Sequence, residues 1–160
     1  MATSDPAVLF VCLGNICRSP LAEAAFRREA EARGLQVTVD SAGTGDWHQG
    51  EPPDRRARAT AARHGCDISA YRARPVTAED FRRFSHIFAL DGENLAALRD
   101  LAPPDASAEL ALVLDLVNGR EGQGVTDPYF GADDGFEETW ADVSRAAVAL
   151  ASLLAERGGA

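Results

Sequence analysis

A cysteine and an arginine stand six residues apart directly after the first apolar run of the chain. The run covers residues 7–12 and ends on Cys12, a pattern typical of a strand buried on both faces of a parallel sheet. Ser19 and Pro20, which follow Arg18, are typical of the first turn of a helix. A helix N-terminus presents unpaired N–H groups and a partial positive charge, which bind anions and favour a thiolate over a thiol. The spacing therefore predicts a sulfur nucleophile aimed at a bound oxyanion.

The loop between this strand and this helix should supply the remaining anion-binding groups. Its predicted substrate-binding residues are Leu13, Gly14, Asn15, Ile16, Cys17 and Arg18. Successive backbone amides can curl into a hollow around an anion, and an arginine can grip two oxygens at once. We expect Asn15 to hold the left-handed conformation that turns these amides inward. The alternative is that Cys12 is only a small buried side chain at a strand end, which is common for a free cysteine.

Apolar runs and helical spacings alternate along the rest of the chain. We predict strands at 7–12, 36–40, 86–90 and 112–115, and helices at 19–34, 54–65, 91–101 and 136–157, with a shorter helix near 77–84. Strands that alternate with helices indicate a parallel sheet with right-handed crossovers. The predicted fold class is α/β: a single-domain, three-layer sandwich over residues 1–160, in which helices flank a four-stranded parallel sheet. The phosphate-binding loop would lie between the first strand and the first helix.

Polar residues follow each of the predicted strands. Cys12 ends the first strand, Ser41 follows the second, Asp91 follows the third, and Asp127 lies on the loop after the fourth. Ligands of such sheets bind beyond the carboxyl ends of the strands, where the winding direction switches. These four distant positions are therefore expected to converge on one site.

Composition narrows the classes of partner. The chain has 160 residues and a net charge of -9, with an isoelectric point of about 4.7. An acidic surface disfavours nucleic acid and anionic membranes, so we expect neither as a partner. No apolar run is long enough to span a bilayer and the N-terminus lacks a signal pattern, so we expect a cytoplasmic protein. Export that does not depend on a recognisable signal stays open.

The cysteines do not form a disulfide framework. Cys12, Cys17 and Cys66 are odd in number, and neither they nor the three histidines show zinc-ligand spacing. We therefore predict thiol chemistry in a reducing compartment, with no metal and no other cofactor.

Several further segments occur together with the Cys-x5-Arg-Ser loop at residues 12–19. They are Asp40-Ser41-Ala42-Gly43-Thr44, Asp46-Trp47 with Gly50, Pro53-Asp54 with Arg56-Ala57, His64-Gly65, Glu79-Asp80-Phe81, Asp91 with Asn94, and Asp127-Pro128-Tyr129-Phe130. In this order the chain resembles the low-molecular-weight protein tyrosine phosphatases, from about residue 8 to residue 155. The resemblance implies a metal-independent phosphatase that hydrolyses phosphotyrosine and small aryl phosphates through a cysteinyl-phosphate intermediate.

The resemblance implies three catalytic residues. Cys12 would attack phosphorus, Arg18 would stabilise the charge on the phosphoryl oxygens, and Asp127 would act as the general acid. By itself the Asp-Pro dipeptide at Asp127 is as typical of a turn. Asp115, Asp133 and Asp134 are weaker candidates that we expect to be solvated or to cap helices.

The resemblance also implies supporting residues. Ser19 would cap the first helix and donate its hydroxyl to the Cys12 thiolate. Ser41 and His64 match positions that tie down Asn15 and the loop through hydrogen bonds. His64 could alternatively be an ordinary helix-end histidine that is stabilised by the dipole there. Asp91 is expected to cap a helix rather than to act in catalysis.

Trp47 and Tyr129 are placed to wall a slot that would accept an aromatic ring. Such a slot would select phosphotyrosine-containing proteins, because phosphoserine is too short to reach Cys12. Trp47 could alternatively be a loop anchor. Members of the family often carry two tyrosines after Asp-Pro, whereas this chain has Tyr129 and Phe130. Regulation by phosphorylation at that pair is therefore left open.

We expect the protein to be a monomer or a weak dimer.

Cys17 follows the nucleophile by five positions. The resemblance implies that mild oxidation joins Cys12 and Cys17 in a reversible disulfide, which would make the protein sensitive to redox conditions. Cys66 is expected to fill the core.

Three other functions compete with this interpretation. A thiol-dependent arsenate reductase begins with much the same loop but needs two further cysteines downstream, and only Cys66 lies there. A protein arginine phosphatase on the same scaffold tends to have Thr where this chain has Ile16. A noncatalytic phosphotyrosine-binding module needs none of the catalytic residues, yet Cys12, Arg18 and Asp127 are all present.

Overall fold

The computed structural model describes residues 5–129, 131 and 135–158. The predictions for Phe130, Asp133 and Asp134 fall outside these residues. The strands are β1 (Ala7–Cys12), β2 (Thr38–Gly43), β3 (His86–Ala89) and β4 (Glu109–Leu112). The helices are α1 (Arg18–Ala32), α2 (Arg55–Arg63), α3 (Asp80–Arg83), α4 (Gly92–Leu101) and α5 (Gly135–Gly158), with a short 3-10 helix at Val113–Leu116.

The strands that the structure describes form one sheet in the order β2-β1-β3-β4, with every neighbouring pair parallel. This confirms the predicted α/β class with a four-stranded parallel sheet. Both neighbours of β1 come later in the chain, on opposite sides of it. The chain therefore leaves the sheet in two directions around β1, and the resulting crevice lies at the carboxyl end of that strand. Cys12 is the last residue of β1 and stands at this crevice.

Alternation along β1 divides its side chains between two hydrophobic clusters. Val8 and Phe10 belong to one cluster, together with residues of α1, α2 and α5. Leu9 and Val11 belong to the other, together with residues of α3 and α4. Since successive side chains of a strand point to opposite faces, helices must cover both faces of the sheet. The three-layer sandwich is thereby confirmed.

Two predicted strands are displaced along the chain. Strand β2 covers 38–43 instead of 36–40, so Ser41 lies within the strand, where it pairs with Phe10. Strand β4 covers 109–112, and the apolar residues that follow form the 3-10 helix instead of the predicted strand. A local hydrogen bond accompanies that helix, because Asp115 Oδ2 accepts from the Leu112 amide at 3.3 Å. Val113 and Leu114 are buried, so the apolar run indicates burial correctly but does not distinguish a strand from a 3-10 helix.

A glycine follows the end of each of the first two helices. Gly34 and Gly65 have φ angles of 66° and 84°, which only glycine adopts without cost. The start of α1 differs from the prediction by one residue. The helix begins at Arg18 with Cys17 at the N-cap, so Ser19 lies inside the first turn and does not cap it.

Candidate active site

The first turn of α1 and the loop before it enclose the sulfur of Cys12. Cys12 and Arg18 are only 3% and 2% exposed, although both border a cavity of about 150 Å³. The N-cap residue, Cys17, makes no side-chain hydrogen bond to this helix N-terminus. The unpaired N–H groups of a helix N-terminus bind anions, so this end of α1 is suited to an anionic ligand.

Asn15 shapes the loop through its backbone and its side chain. Its φ of 58° is the only positive value among the non-glycine residues of the described segments, and it confirms the predicted left-handed conformation. The Asn15 Nδ2 group donates to Ser19 Oγ at 2.8 Å and to Ser41 Oγ at 3.0 Å. Its Oδ1 accepts from the Arg74 amide at 3.0 Å. With both ends of the amide engaged, the strained conformation is held from three sides.

These bonds give the Ser19 hydroxyl a direction. Ser19 Oγ lies 3.0 Å from Cys12 Sγ and already accepts a hydrogen bond from Asn15. Its own proton is therefore available for the sulfur, and a hydroxyl donor stabilises a thiolate. The hydroxyl contact predicted for Ser19 is present, although the capping role is not.

Ser41 extends the network to a buried carboxyl. Its hydroxyl donates to Glu23 Oε1 at 2.7 Å, and Glu23 Oε2 accepts from Arg27 Nε at 2.9 Å. Burial raises the pKa of Glu23, against the hydrogen bonds from Ser41 and Arg27. The chain of bonds from Cys12 to Glu23 therefore joins the loop to the middle of α1. No role was predicted for Glu23 or Arg74, because neither residue type nor spacing indicates their partners.

Arg18 is oriented by one edge of its guanidinium group. Its Nη1 donates to Asp91 Oδ2 at 2.7 Å and to the Val125 carbonyl at 2.9 Å. Burial opposes its charge, but the charges of Cys12 and Asp91 outweigh burial and keep the pKa of Arg18 above its ordinary value. Its Nε is buried and has no hydrogen-bond partner among the described residues. An orphaned buried donor is costly, so this edge is suited to an anionic ligand.

Asp91 serves both ends of this contact. Its Oδ1 accepts from the Asn94 amide at 2.8 Å, which confirms the predicted cap of α4. Its Oδ2 holds Arg18, a contact that the sequence did not predict. The available signal was its position directly after β3, at the sheet edge where Cys12 also lies.

Asp127 reaches the same cavity from the loop after β4. Its Oδ2 lies 3.6 Å from Arg18 Nη2, and its side chain is 38% exposed. Its Oδ1 accepts from the Tyr129 amide at 3.1 Å, so the turn expected of Asp-Pro is present as well. The turn and the catalytic interpretation of Asp127 are compatible, because the turn uses Oδ1 and leaves Oδ2 beside Arg18.

Four side chains border the mouth of the cavity, and we call them the rim: Trp47, His48, Asp127 and Tyr129. The other lining residues come from the end of β1, the loop and the start of α1, and we call them the floor: Cys12, Leu13, Gly14, Ile16, Cys17 and Arg18. Trp47 is 70% exposed and Tyr129 is 36% exposed. Two aromatic rings above a buried sulfur and guanidinium make an apolar slot with an anion-binding floor.

Comparison with known proteins agrees with this arrangement. The sequence profile described as "Low molecular weight phosphotyrosine protein phosphatase" matches residues 7–158. The chain belongs to the low-molecular-weight phosphotyrosine protein phosphatase family. This confirms the resemblance that the loop and its accompanying segments indicated.

Individual relatives cover nearly the whole chain. A low-molecular-weight protein-tyrosine-phosphatase of Streptomyces coelicolor is 43% identical over 155 residues, which are 94% of this chain and 94% of that protein. The crystal structure of YfkJ from Bacillus subtilis superposes with a TM-score of 0.90 at 37% identity, covering 98% of both chains. The Drosophila arginine phosphatase DARP has a TM-score of 0.86 at 32% identity, covering 91% of this chain and 96% of that one.

One residue predicted to support the phosphatase loop lies elsewhere. His64 was expected to tie down Asn15, but its Nε2 lies 2.7 Å from Glu137 Oε2 and its ring stacks on Trp140 at 5.0 Å. The prediction is wrong because α5 covers the end of α2 and provides these partners. The alternative interpretation, a helix-end histidine, describes its place. Ser41 and the Arg74 amide hold Asn15 instead.

His48 is a rim residue that the sequence analysis missed. Its Nδ1 lies 2.9 Å from Glu51 Oε2, and its ring faces Tyr129 at a centroid distance of 6.5 Å. Its position next to Trp47 was the available signal.

Within the described residues, no three His, Cys, Asp or Glu side chains are placed to hold a metal ion. In the same segments, no helix has the length and apolar character needed to cross a bilayer.

Proposed function

We propose that the chain hydrolyses phosphotyrosine in phosphoproteins, with Cys12, Arg18 and Asp127 as the catalytic residues. One observation carries the proposal: a buried cysteine sulfur, the orphaned Arg18 Nε and the Asp127 carboxyl face the same slot. These are the nucleophile, the charge-stabilising donor and the proton donor that phosphate ester cleavage by a thiol requires.

In the first step, the Cys12 thiolate attacks phosphorus opposite the ester oxygen. The S–P bond forms as the P–O bond to the phenol breaks, and the electron pair leaves with that oxygen. Asp127 donates its proton to the departing phenolate. Loop amides and Arg18 stabilise the phosphoryl oxygens, and their fixed orientation avoids the cost of reorganisation during the reaction.

In the second step, water displaces the sulfur. Asp127, now a carboxylate, accepts a proton from the attacking water, and inorganic phosphate leaves. The electron pair of the S–P bond returns to Cys12. The Ser19 hydroxyl, 3.0 Å from Cys12 Sγ, stabilises the returning thiolate.

The rim supports an aromatic substrate. An aryl ring between Trp47 and Tyr129 can stack on either side chain while its phosphate reaches the floor. The buried position of Cys12 disfavours the shorter phosphoserine. Apolar Ile16 in the floor favours an ester oxygen over the P–N bond of phosphoarginine.

The decisive experiment compares wild type with Cys12→Ser and Cys66→Ser on an aryl phosphate in the presence of EDTA. We expect Cys12→Ser to lose turnover and Cys66→Ser to keep it, because Cys66 is a half-buried residue outside the slot. Unchanged turnover in Cys12→Ser would reject the mechanism. Loss of wild-type turnover in EDTA would reject metal independence.

A second assay distinguishes the related activities. Phosphotyrosine and phosphoarginine peptides are offered to the wild type at equal concentration, and arsenate is offered with a thiol reductant. We expect turnover of the phosphotyrosine peptide alone. Preference for phosphoarginine, or reduction of arsenate, would replace the proposed substrate while keeping the nucleophile.

We also propose that Cys12 and Cys17 form a reversible disulfide on mild oxidation. Burial, followed by the charges of Asp54 and Cys12, raises the pKa of Cys17 well above its ordinary value. Cys17 therefore stays reduced, and because it lines the same cavity as Cys12 its thiol can condense with a Cys12 sulfenic acid and release water. Peptide mapping after mild peroxide tests this. Irreversible Cys12 acids without a linked pair would refute it.

The remaining proposals concern the setting of the enzyme. Three free thiols support a reducing, cytoplasmic location. We infer a monomer or a weak dimer that binds neither nucleic acid nor membrane. Cell fractionation and sedimentation at several protein concentrations test these two statements.

A further inference from the structure

The indole ring of Trp47 occupies the place that a side chain at position 45 would fill. A Cβ atom built on Gly45 would lie 1.8 Å from Trp47 Cζ3, 2.2 Å from Cε3 and 2.6 Å from Cη2. The optimal separation between carbon atoms that are not bonded to each other is about 3.5 Å or more. Any residue other than glycine at this position must therefore displace the ring.

The need for glycine here comes from space and not from backbone conformation. Gly45 is absent from the positive-φ glycines, which are Gly34, Gly50, Gly65, Gly119 and Gly122. No positive φ therefore disfavours an alanine at position 45, and the contact with Trp47 is what a Cβ would change.

Gly45 is fixed to the loop that carries the nucleophile. Its amide donates to the Leu13 carbonyl at 3.0 Å, and the preceding Thr44 amide donates to the Cys12 carbonyl at 2.9 Å. The surface beneath the indole therefore keeps a constant position relative to the Cys12 sulfur. Trp47 has 70% of its surface exposed, so only a minor part of the residue is buried by contacts of any kind, the contact with Gly45 among them.

We propose that Gly45 is a specificity-determining position. Because Gly45 has no side chain, the Trp47 ring can lie over it, at a distance from Tyr129 that admits an aromatic substrate ring between them. The inference rests on the proposed phosphatase function and adds a positioning residue to it. Gly45 does not act on the reacting atoms; it acts through Trp47. A side chain at position 45 is expected to weaken binding of aryl substrates and to leave the chemical step intact.

The test is a double-mutant cycle with Gly45→Ala, Trp47→Ala and the combined variant. Kinetics are measured on phosphotyrosine and on acetyl phosphate, which has no ring to stack. We expect Gly45→Ala to raise KM for phosphotyrosine about threefold to tenfold, the range expected for a lost aromatic contact. We expect kcat for phosphotyrosine, and both kcat and KM for acetyl phosphate, to change by less than about twofold.

The combined variant identifies the cause. If the Cβ acts by displacing the indole, Gly45→Ala adds nothing once Trp47 is alanine. If Gly45→Ala raises KM equally in the Trp47→Ala variant, the Cβ disturbs the backbone and not the indole. If Gly45→Ala alone leaves KM unchanged, the ring has another position in which it binds substrate equally well. Either result overturns the inference. If Gly45→Ala alone fails to fold while the combined variant folds, the clash itself is demonstrated.

Gly92→Ala is the matched control, because a Cβ there meets nothing within 4 Å. We expect its kinetics to equal those of the wild type on both substrates. A wild type without aryl phosphatase activity would overturn the proposed function, which is a separate outcome from an active wild type whose KM is insensitive to position 45.

Discussion

The floor and the rim of the slot are built in opposite ways. On the floor, Cys12 and Arg18 are almost completely buried, and Asn15 holds the loop with three hydrogen bonds. On the rim, Trp47 is 70% exposed and Tyr129 is 36% exposed. The floor is fixed before a ligand arrives, whereas the rim is held by a few local contacts.

This difference separates chemistry from selection. Charge stabilisation depends on donors that already point at the developing charge, so the floor must be rigid. Substrate choice depends on loop residues carried by a rigid scaffold, so the aromatic residues of the rim can vary without disturbing the reaction. Substitutions on the floor should therefore change kcat, and substitutions of Trp47 or Tyr129 on the rim should change KM.

The largest effect is expected for Arg18→Lys on the floor. Lysine keeps the charge but cannot hold Asp91 and Val125 with one edge while presenting a second edge to phosphate. We expect kcat/KM for phosphotyrosine to fall about 10³-fold, with most of the loss in kcat. Steady-state kinetics measure this, and Arg28→Lys, an exposed arginine on the same helix, serves as the control. A loss confined to KM would place Arg18 with the rim.

Asp127→Asn is expected to have the next largest effect and to connect the two regions. Asparagine keeps the shape but cannot donate a proton, so turnover of phosphotyrosine should fall about 10²-fold. The loss should be much smaller for an aryl phosphate whose leaving group is a weak base. Equal losses across leaving groups of different basicity would contradict the role of general acid.

Asn15 tests how much the floor depends on its network. Asn15→Gly keeps the left-handed backbone but loses the side-chain bonds, whereas Asn15→Ala loses both. We expect Asn15→Ala to lower the free energy of unfolding by about 2 kcal/mol and Asn15→Gly by about 1 kcal/mol. Urea denaturation measures both, and kcat should follow the same order. Equal values for the two variants would mean that the conformation at φ 58° carries no strain.

Arg56→Met tests the support of the rim. Arg56 Nη2 donates to the Tyr129 carbonyl at 2.9 Å and its guanidinium lies over the Tyr129 ring at 5.6 Å. Methionine keeps an apolar stem and removes the hydrogen bond, so KM for phosphotyrosine should rise about threefold with kcat preserved. The neighbouring exposed arginine supplies the control, Arg55→Met. A fall in kcat without a change in KM would show that Arg56 supports the floor.

The smallest perturbation is chemical labelling of Cys17. Burial and neighbouring negative charge raise the pKa of this thiol, so its thiolate fraction stays negligible between pH 7 and pH 9. Iodoacetamide should therefore label Cys12 in the folded protein and leave Cys17 unmodified, as peptide mapping would show. In urea, both should react. Labelling of Cys17 at the rate of Cys12 at pH 7 would contradict its buried, protonated state.

Local signals predicted the floor better than the rest of the site. The apolar run to Cys12, the left-handed conformation of Asn15 and the position of Arg18 at the start of α1 were all predicted from residue type and short spacing. Hydrogen bonds between separate elements were not predicted, including those that Glu23 and Arg74 make with Ser41 and Asn15. His64 was wrongly predicted to hold Asn15, whereas it contacts Glu137. Hydrogen bonds between side chains from separate elements depend on how helices pack, which no spacing along the chain encodes.

The same limit explains the displaced strands. An apolar run at 112–115 predicts burial correctly, yet Val113 and Leu114 are buried in a 3-10 helix. Burial and backbone conformation are separate properties, and a short run cannot distinguish them. The second strand was predicted to end at residue 40, whereas the pairing of β2 with β1 continues to Gly43.

The sequence by itself determined the chemistry: a thiol at a strand end, an arginine six residues later and a helix start are sufficient to predict an anion-binding nucleophile. The tertiary structure decided which groups hold that chemistry in place. Asp91 orients Arg18, Ser41 orients Asn15, and the bare backbone at Gly45 seats Trp47. The reason is physical: the loop forms from neighbours along the chain, whereas its partners meet only where parallel strands bring their carboxyl ends to one edge.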